Sequence, residues 1–236
     1  RDPGRITLVE VLERRGRQRV VVDRVEGPWY DAIGVASLVF TADGHVAYPA
    51  LRDGQWHVVH DGRLGEGHEA LGEIVMSADG QHVIYAASVG ETWTVVADGS
   101  ARGSWSTLAS QSLRVVPGAT GGVRWSFVGF RGDQAFVVLD GAVSGPFDTA
   151  TPALLDGRRS ASATVRNERA RVFVDGSPGV PFTHVRDLQL VNGRVAYLGH
   201  SSVGSVAVLD GVGSNALVAM LDTGHINVTA RALGLD

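Results

Sequence analysis

The sequence predicts an all-β fold built from about six copies of one four-stranded unit, and three observations support this prediction. A strand that ends in aspartate, usually followed by glycine, recurs along the whole chain. A second tight turn follows each of these strands at a similar distance. No stretch of ten or more residues shows the 3.6-residue apolar period of an amphipathic helix, so helix should be scarce.

The recurring aspartates set the length of the unit. They end apolar runs such as Val20-Val21-Val22-Asp23. The six positions are Asp23, Asp61, Asp98, Asp140, Asp175 and Asp210, and the intervals between them are 38, 37, 42, 35 and 35 residues. Such regular spacing is typical of tandem structural repeats.

Two further features keep phase with each aspartate. A glycine follows four to five residues later and commonly precedes proline or an aromatic residue, as in Gly27-Pro28-Trp29, Gly103-Ser104-Trp105, Gly145-Pro146-Phe147 and Gly179-Val180-Pro181-Phe182. A short apolar strand then leads to a second turn, such as Asp43-Gly44. Asp-Gly between apolar segments predicts a hairpin because both residues tolerate positive φ. Each unit therefore codes four antiparallel strands of about four to seven residues.

Four short antiparallel strands in this length match one blade of a β-propeller. A blade has two apolar faces, and radial packing of neighbouring blades buries both. We therefore expect one β-propeller domain over residues 1–236 with six blades, and rings of five or seven blades are the main alternatives. The first five blades are predicted to begin near Leu38, Glu73, Ser112, Ala153 and Leu188.

The sixth blade is predicted to combine strands from both ends of the chain, which would close the ring. Residues 216–220 and 225–230 would supply its inner part, and residues 18–23 with the segment after them its outer strands. A further strand at residues 6–12 competes with residues 225–230 for the same place.

Two copies of the unit resemble the hallmark of the WD-repeat-like, TolB-type propeller family. In that hallmark, Phe-Ser-Pro-Asp-Gly and a basic pair precede an apolar-aromatic strand. The copies are Phe-Thr-Ala-Asp-Gly-His-Val-Ala-Tyr at residues 40–48 and Met-Ser-Ala-Asp-Gly-Gln-His-Val-Ile-Tyr at residues 76–85. Alanine replaces the proline in both copies. The resemblance is specific to the fold; it implies a bacterial, partner-binding propeller in the periplasm or outside the cell.

Composition limits the classes of function. A hydrophobic fraction of 44% with 19% charged residues predicts a soluble domain with a real core. A net charge of −4 gives no support for nucleic-acid binding. The absence of cysteine excludes disulfides, thiolate catalysis and cysteine-bound zinc. No apolar run approaches a membrane span. Because the sequence begins at Arg1, it leaves open a preceding signal peptide or domain.

No motif in the chain predicts catalysis, a metal or a cofactor. His57 and His60 are three apart on one predicted strand, so their side chains face opposite sides. Gly199-His200-Ser201-Ser202-Val203 resembles a hydrolase nucleophile elbow, but valine replaces the last glycine and the context predicts strand–turn–strand. We interpret it as a polar hairpin turn. The Asp-Gly turns lack the dense acidic spacing of a calcium loop.

The favoured hypothesis is a non-enzymatic binding or scaffold propeller that presents connecting segments to a protein partner. The predicted partner-binding residues are Trp29, Tyr30, Asp31, Phe182, His184 and Arg186. The recurring aromatic residues among them could instead pack between neighbouring blades. Two alternatives to the hypothesis remain: a small-ligand or carbohydrate binder or enzyme that uses the central channel, and one domain of a larger protein whose activity lies elsewhere.

Overall fold

The computed structural model describes residues 8–202 and 204–214. In this part of the chain the strands form six antiparallel sheets, numbered here in chain order, and there is no α-helix. Sheet 1 contains β1 (Val9–Arg14), β2 (Arg17–Val22) and β3 (Val25–Glu26). Sheet 2 contains β4 (Ala32–Ile33), β5 (Val39–Phe40), β6 (Val46–Arg52), β7 (Gln55–His60) and β8 (Arg63–His68), with a 3-10 turn at Val35–Ser37. Sheet 3 contains β9 (Leu71–Met76), β10 (Val83–Val89), β11 (Thr92–Ala97) and β12 (Ser100–Trp105).

The remaining sheets repeat this pattern. Sheet 4 contains β13 (Thr107–Leu108), β14 (Arg114–Pro117), β15 (Val123–Arg131), β16 (Gln134–Leu139) and β17 (Ala142–Phe147). Sheet 5 contains β18 (Thr149–Ala150), β19 (Leu154–Leu155), β20 (Ser160–Arg166), β21 (Arg169–Val174) and β22 (Ser177–Pro178). Sheet 6 contains β23 (His184–Val191), β24 (Arg194–Ser201), β25 (Gly204–Leu209) and β26 (Val212–Ser214). In sheets 2, 4 and 5 the first strand is split into two short pieces that pair with the same neighbour.

The apolar core is divided into layers between successive sheets. One buried cluster lies between each consecutive pair, from sheets 1 and 2 through sheets 5 and 6. Four-stranded meanders that pack face to face in chain order form a β-propeller, which confirms the predicted fold class. The predicted closing strands at 216–220 and 225–230 lie outside the described residues, so ring closure and blade number stay predictions.

Two details differ from the sequence-based expectation. The strand predicted at residues 6–12 is found at Val9–Arg14 as β1, which pairs with β2 and packs Val9 and Val11 into the cluster between sheets 1 and 2. Its predicted competitor at residues 225–230 lies outside the described residues. The first strands of sheets 2 to 6 begin two to six residues before the predicted positions, at Ala32, Leu71, Thr107, Thr149 and His184. In each of these sheets the backbone begins to pair with the second strand several residues before the apolar residues from which the start is predicted.

Each of the six recurring aspartates makes the same contacts within its sheet. The residue has positive φ, between 47° and 52°, in a tight turn, as predicted. Its Oδ1 accepts a hydrogen bond from the backbone N–H of the residue 15 positions earlier, for example Trp125 to Asp140 at 2.8 Å. Its own N–H donates to the carbonyl of that same residue, at 2.9 Å for Asp140 and Trp125. The carboxylate therefore joins the end of the third strand of each unit to the start of the second.

A basic side chain binds the other carboxylate oxygen in five sheets. The pairs are His45–Asp61 and His82–Asp98 at 2.7 Å, Arg124–Asp140 at 3.0 Å, Arg159–Asp175 at 2.9 Å and Arg194–Asp210 at 3.1 Å. Each basic residue lies 16 positions before its aspartate. One carboxylate thus accepts a backbone and a charge-assisted hydrogen bond together.

A ring side chain seven residues after each of the first five aspartates packs between sheets. These residues are Tyr30, His68, Trp105, Phe147 and Phe182. Four of them meet an aromatic residue of the next sheet edge to face, in the pairs Tyr30–Tyr48, His68–Tyr85, Trp105–Phe127 and Phe182–Tyr197. In sheet 5 the equivalent position is Ser162, and Phe147 packs against Phe173 instead. These rings fix the spacing of neighbouring sheets.

Substitution of Asp140 by alanine should destabilise the protein by roughly 2 kcal/mol, because the Trp125 N–H and Arg124 lose their acceptor and alanine disfavours positive φ. Urea unfolding of the two proteins measures this difference. Asp53→Ala is the matched control, since Asp53 also has positive φ but its carboxylate binds no backbone N–H among the described residues. Equal losses in the two variants would contradict the role of the carboxylate.

Gly129→Ala should destabilise the protein by about 1–3 kcal/mol through overpacking. A Cβ at Gly129 would lie 2.5 Å from two ring carbons of Trp105, whereas the smaller Tyr30 packs over an alanine, Ala50, at the equivalent position. In the background Trp105→Leu, the same glycine substitution should cost much less, because the ring it strikes is gone. Additive losses, measured by urea unfolding, would contradict this packing.

Candidate binding site

The two ends of the sheets differ in what they carry. One end, called here the connection face, carries the sheet-to-sheet segments at 29–34, 68–71, 105–113, 147–153 and 182–184, with the turns after the second strands. Side chains of the segments bind the turns of the next sheet: Gly132 N–H donates to Ser106 Oγ, and Asn167 N–H to Asp148 Oδ2, each at 2.8 Å. These bonds hold the connection face in place. The other end, called here the aspartate face, carries the aspartate turns.

Two of the six predicted partner-binding residues are not at the surface. Tyr30 is 2% exposed and Phe182 is 7% exposed, because both belong to the row of rings between sheets. A partner cannot contact them in this structure, which corrects the expectation for these two residues. For Phe182 the packing alternative is the one observed.

Trp29, Asp31, His184 and Arg186 lie on the connection face. Trp29 is half-buried, and the guanidinium of Arg19 lies 4.4 Å from the centre of its ring. Asp31 is exposed, and its carboxylate is 3.7 Å from Arg17. His184 and Arg186 are exposed on β23. Their role in partner binding stays a prediction.

Trp29 illustrates a one-residue slip in the sequence interpretation. The sequence aligns Trp29 with Trp105. In the structure it is Tyr30 that pairs with the third strand of the unit, through two backbone hydrogen bonds of 2.8 and 2.9 Å with Gln18. Ala170 and Phe182 form the equivalent bridge in sheet 5. Two adjacent aromatic residues look alike in sequence, and the backbone pairing decides which one is buried.

A cleft that the sequence did not predict opens between sheets 3 and 4, with a volume of about 320 Å³. Its walls are Gly72, Glu73, Ala86 and Trp93 of sheet 3 and the connecting residues 107–113. The strand position of Trp93 predicts packing between sheets, and Trp93 does pack against the cluster between sheets 3 and 4, whereas Glu73 is predicted only as the start of a blade. In the structure Trp93 is half-buried and Glu73 shares its cleft.

The connection that forms one wall of the cleft varies in length between units. Val115 lies ten positions after Trp105, as Phe40 does after Tyr30, whereas Leu155 lies eight positions after Phe147. Most of this wall lies between β13 and β14, although the first strand is split in sheets 2 and 5 as well. The long interval between Asp98 and Asp140 mainly reflects the turn between β14 and β15, because Val115 and its partner Trp125 are ten positions apart whereas Leu155 and Ser160 are five apart.

Small residues form the floor of the cleft. A Cβ at Gly72 would lie 3.1 Å from the Cβ of Ala86 and 3.3 Å from Cζ3 of Trp93. The edge of the indole therefore lies directly beside Gly72. The wall formed by the connection is anchored by Ser112, which is 1% exposed and whose Oγ accepts the N–H of Val128 at 3.2 Å.

Glu73 supplies the polar group of the cleft. Its Oε2 accepts the N–H of Leu113 at 3.2 Å, and Oε1 accepts no hydrogen bond from any described residue. The indole N–H of Trp93 likewise has no acceptor among the described residues. An apolar recess with a few accessible polar groups is the usual form of a binding pocket.

The described residues contain no group of three or more His, Asp or Glu side chains that could hold a metal ion. His57 Nδ1 binds the carbonyl of Gly65 and His60 Nε2 that of Gly80, so the two imidazoles have separate partners. Around the apparent nucleophile elbow the chain runs strand–turn–strand, from β24 to β25, and Val203 lies outside the described residues. His200 Nδ1 is 2.7 Å from Ser205 Oγ, and no described carboxylate binds His200 Nε2.

The comparisons with known proteins match in structure only. No family model and no curated sequence matches the chain. Solved structures that are similar include TolB from Acinetobacter baumannii, at 12% identity and a TM-score of 0.36, covering 88% of this chain and 63% of that one. The β-propeller domain of the Trilobed protease from Pyrococcus furiosus matches at 12% identity and a TM-score of 0.34, covering 88% and 76%. Virginiamycin B lyase from Staphylococcus aureus matches at 7% identity and a TM-score of 0.32, covering 82% and 73%.

These neighbours carry no function over to this chain, because their identities and TM-scores are low. The chain spans less than two thirds of the TolB structure. The fold assignment rests on the six sheets and their packing. Within the described residues, no helix has the length and apolar character needed to cross a bilayer.

The aspartate face contains a titratable pair that should make stability depend on pH. Burial by itself would raise the pKa of Asp61, but hydrogen bonds from His45 and the Val46 N–H outweigh it and hold the pKa below its ordinary 3.8. The stability contributed by this carboxylate is therefore present above pH 3.8 and is lost as the pH falls through the lower folded pKa.

The variant Asp61→Asn should accordingly be less stable than the wild type near pH 5, and the difference in free energy of unfolding should shrink toward pH 2. Urea unfolding at a series of pH values measures both proteins. Asp53→Asn serves as the control for a general charge effect. A difference that stays constant down to pH 2 would mean that Asp61 titrates alike in both states.

Proposed function

We propose that this chain is a non-enzymatic binding propeller that holds a protein partner on its connection face, with the cleft between sheets 3 and 4 as the anchor point. The observation that carries the proposal is the cleft itself. It presents an indole ring and a carboxylate in a recess whose surrounding backbone is hydrogen-bonded.

The size and setting of the cleft favour a protein partner. A volume of about 320 Å³ is at the small end of ligand pockets, and it suits one side chain of a docked protein. The rim continues as surface, since Val89 on the adjoining turn is 58% exposed. Apolar groups around an aromatic anchor are typical of protein interfaces.

The frame of the site is suited to rigid docking. Ser106 and Asp148 bind the turns of the following sheets, and Ser112 holds the connection that forms one wall. A preformed site loses little conformational entropy when a partner binds. Trp29, Asp31, His184 and Arg186 extend the proposed contact surface along this face.

Site-specific photocrosslinking in the native host tests the proposal. A photoreactive amino acid at Ser110, on the cleft rim, should form a discrete protein adduct, whereas the same group at the exposed Val191 on the aspartate face should not. The Ser110 adduct should decrease at least fivefold when Trp93→Leu is added, because the anchor ring is removed. No adduct at Ser110, or equal adducts at both positions, would overturn the proposal.

A further inference from the structure

We infer that the cleft recognises an arginine side chain presented by the partner protein, with the guanidinium placed between the Glu73 carboxylate and the Trp93 ring. This inference rests on the proposed function and names the chemistry of its anchor. It depends on charge, on ring chemistry and on a comparison within this same chain.

The one charged group that lines the cleft is a carboxylate, and it forms no ion pair with any described residue. Glu73 is the one ionisable residue among the eleven that line the cleft. No described arginine or histidine lies within ion-pair distance of its carboxylate, and the neighbouring Arg114 binds the carbonyl of Leu113 at 2.7 Å instead. A half-buried carboxylate with one free oxygen is stabilised by an incoming cation that can also donate hydrogen bonds.

The indole of Trp93 favours a flat cation. Tryptophan is the best aromatic partner for cations, and a guanidinium can stack on the ring while it donates in its own plane to a carboxylate. The exposed polar residues Ser110 and Gln111 lie at the rim of the same cleft, where their oxygens can accept further N–H groups. Lysine offers a point charge that cannot use this planar arrangement.

The same three groups, a tryptophan ring, a glutamate and an arginine, already occur together elsewhere in the chain. In sheet 1 and the segment that follows it, the guanidinium of Arg19 lies over the ring of Trp29 at 4.4 Å and forms an ion pair with Glu26. Arg131 likewise lies 4.5 Å from the centre of the Trp105 ring. The cleft has the tryptophan and the glutamate, and no described residue supplies the arginine. A partner would supply it.

Titration with a defined peptide tests this inference directly. The probe is acetyl-Gly-Gly-Arg-Gly-Gly-amide, followed through the indole N–H signals of the ¹⁵N-labelled protein, with the Trp93 signal assigned from Trp93→Phe. The peptide should shift the Trp93 signal saturably. The same peptide with citrulline, which is neutral and nearly the same shape, should bind at least tenfold more weakly, because it lacks the charge.

Two variants distinguish the effect of the Glu73 carboxylate from a general effect of net charge. Glu73→Gln should weaken binding of the arginine peptide about tenfold, while its amide oxygen can still accept the Leu113 N–H and so preserve the fold. Glu69→Gln is the matched control: it removes the same charge from an exposed residue on the same face and should change the affinity less than twofold. Unchanged urea midpoints would show that both variants are folded.

The outcomes separate this inference from the proposed function. If the Ser110 adduct forms but the arginine and citrulline peptides bind alike, the arginine inference is wrong and the proposed function stands. If the arginine peptide binds but no protein adduct forms, the proposed protein partner is wrong. If free arginine amide binds as tightly as the peptide and Glu69→Gln weakens it equally, both the site and its partner class are overturned.

Discussion

The structure depends on one carboxylate that is repeated in every unit. At the end of the third strand, an aspartate with positive φ turns the chain and accepts the N–H of the residue 15 positions earlier, at the start of the second strand. This contact fixes the pairing register of the two central strands. Because strand side chains alternate between faces, a slip by one residue would exchange the two faces of the sheet. The aspartate therefore determines which side chains reach the neighbouring sheet.

The packing between sheets follows from that register. Seven residues after the aspartate, a ring side chain crosses to the next sheet, and the residue opposite it is small. Trp105 and Phe182 lie over Gly129 and Gly199, where a Cβ would come within 2.5 Å of a ring, while Tyr30 accepts Ala50. Gly129 and Gly199 therefore leave the space that the rings of Trp105 and Phe182 occupy. A propeller built this way tolerates drift in sequence as long as each pair remains complementary.

The candidate site lies at one connection between sheets. The connection between sheets 3 and 4 leaves a recess beside Trp93 and Glu73. Neither residue is unusual in its own strand. Their chemistry becomes available because the connection does not cover them, and Ser112 keeps the connection in that position through its bond to Val128. On a shared scaffold, function resides in local sites of this kind.

The sequence by itself determined the features that depend on local backbone chemistry. The Asp-Gly turns, the period of 35 to 42 residues and the four strands per unit all follow from φ preferences and apolar runs that neighbouring residues encode. Only the tertiary structure decided which side chains are buried or accessible. Burial depends on what the next sheet places opposite a residue, as in the pairs Phe182–Tyr197 and Trp105–Phe127, whose members are far apart in the chain. For that reason Tyr30, and not Trp29, is buried in the core. Phe182 is buried as well, and Trp93 and Glu73 line a cleft.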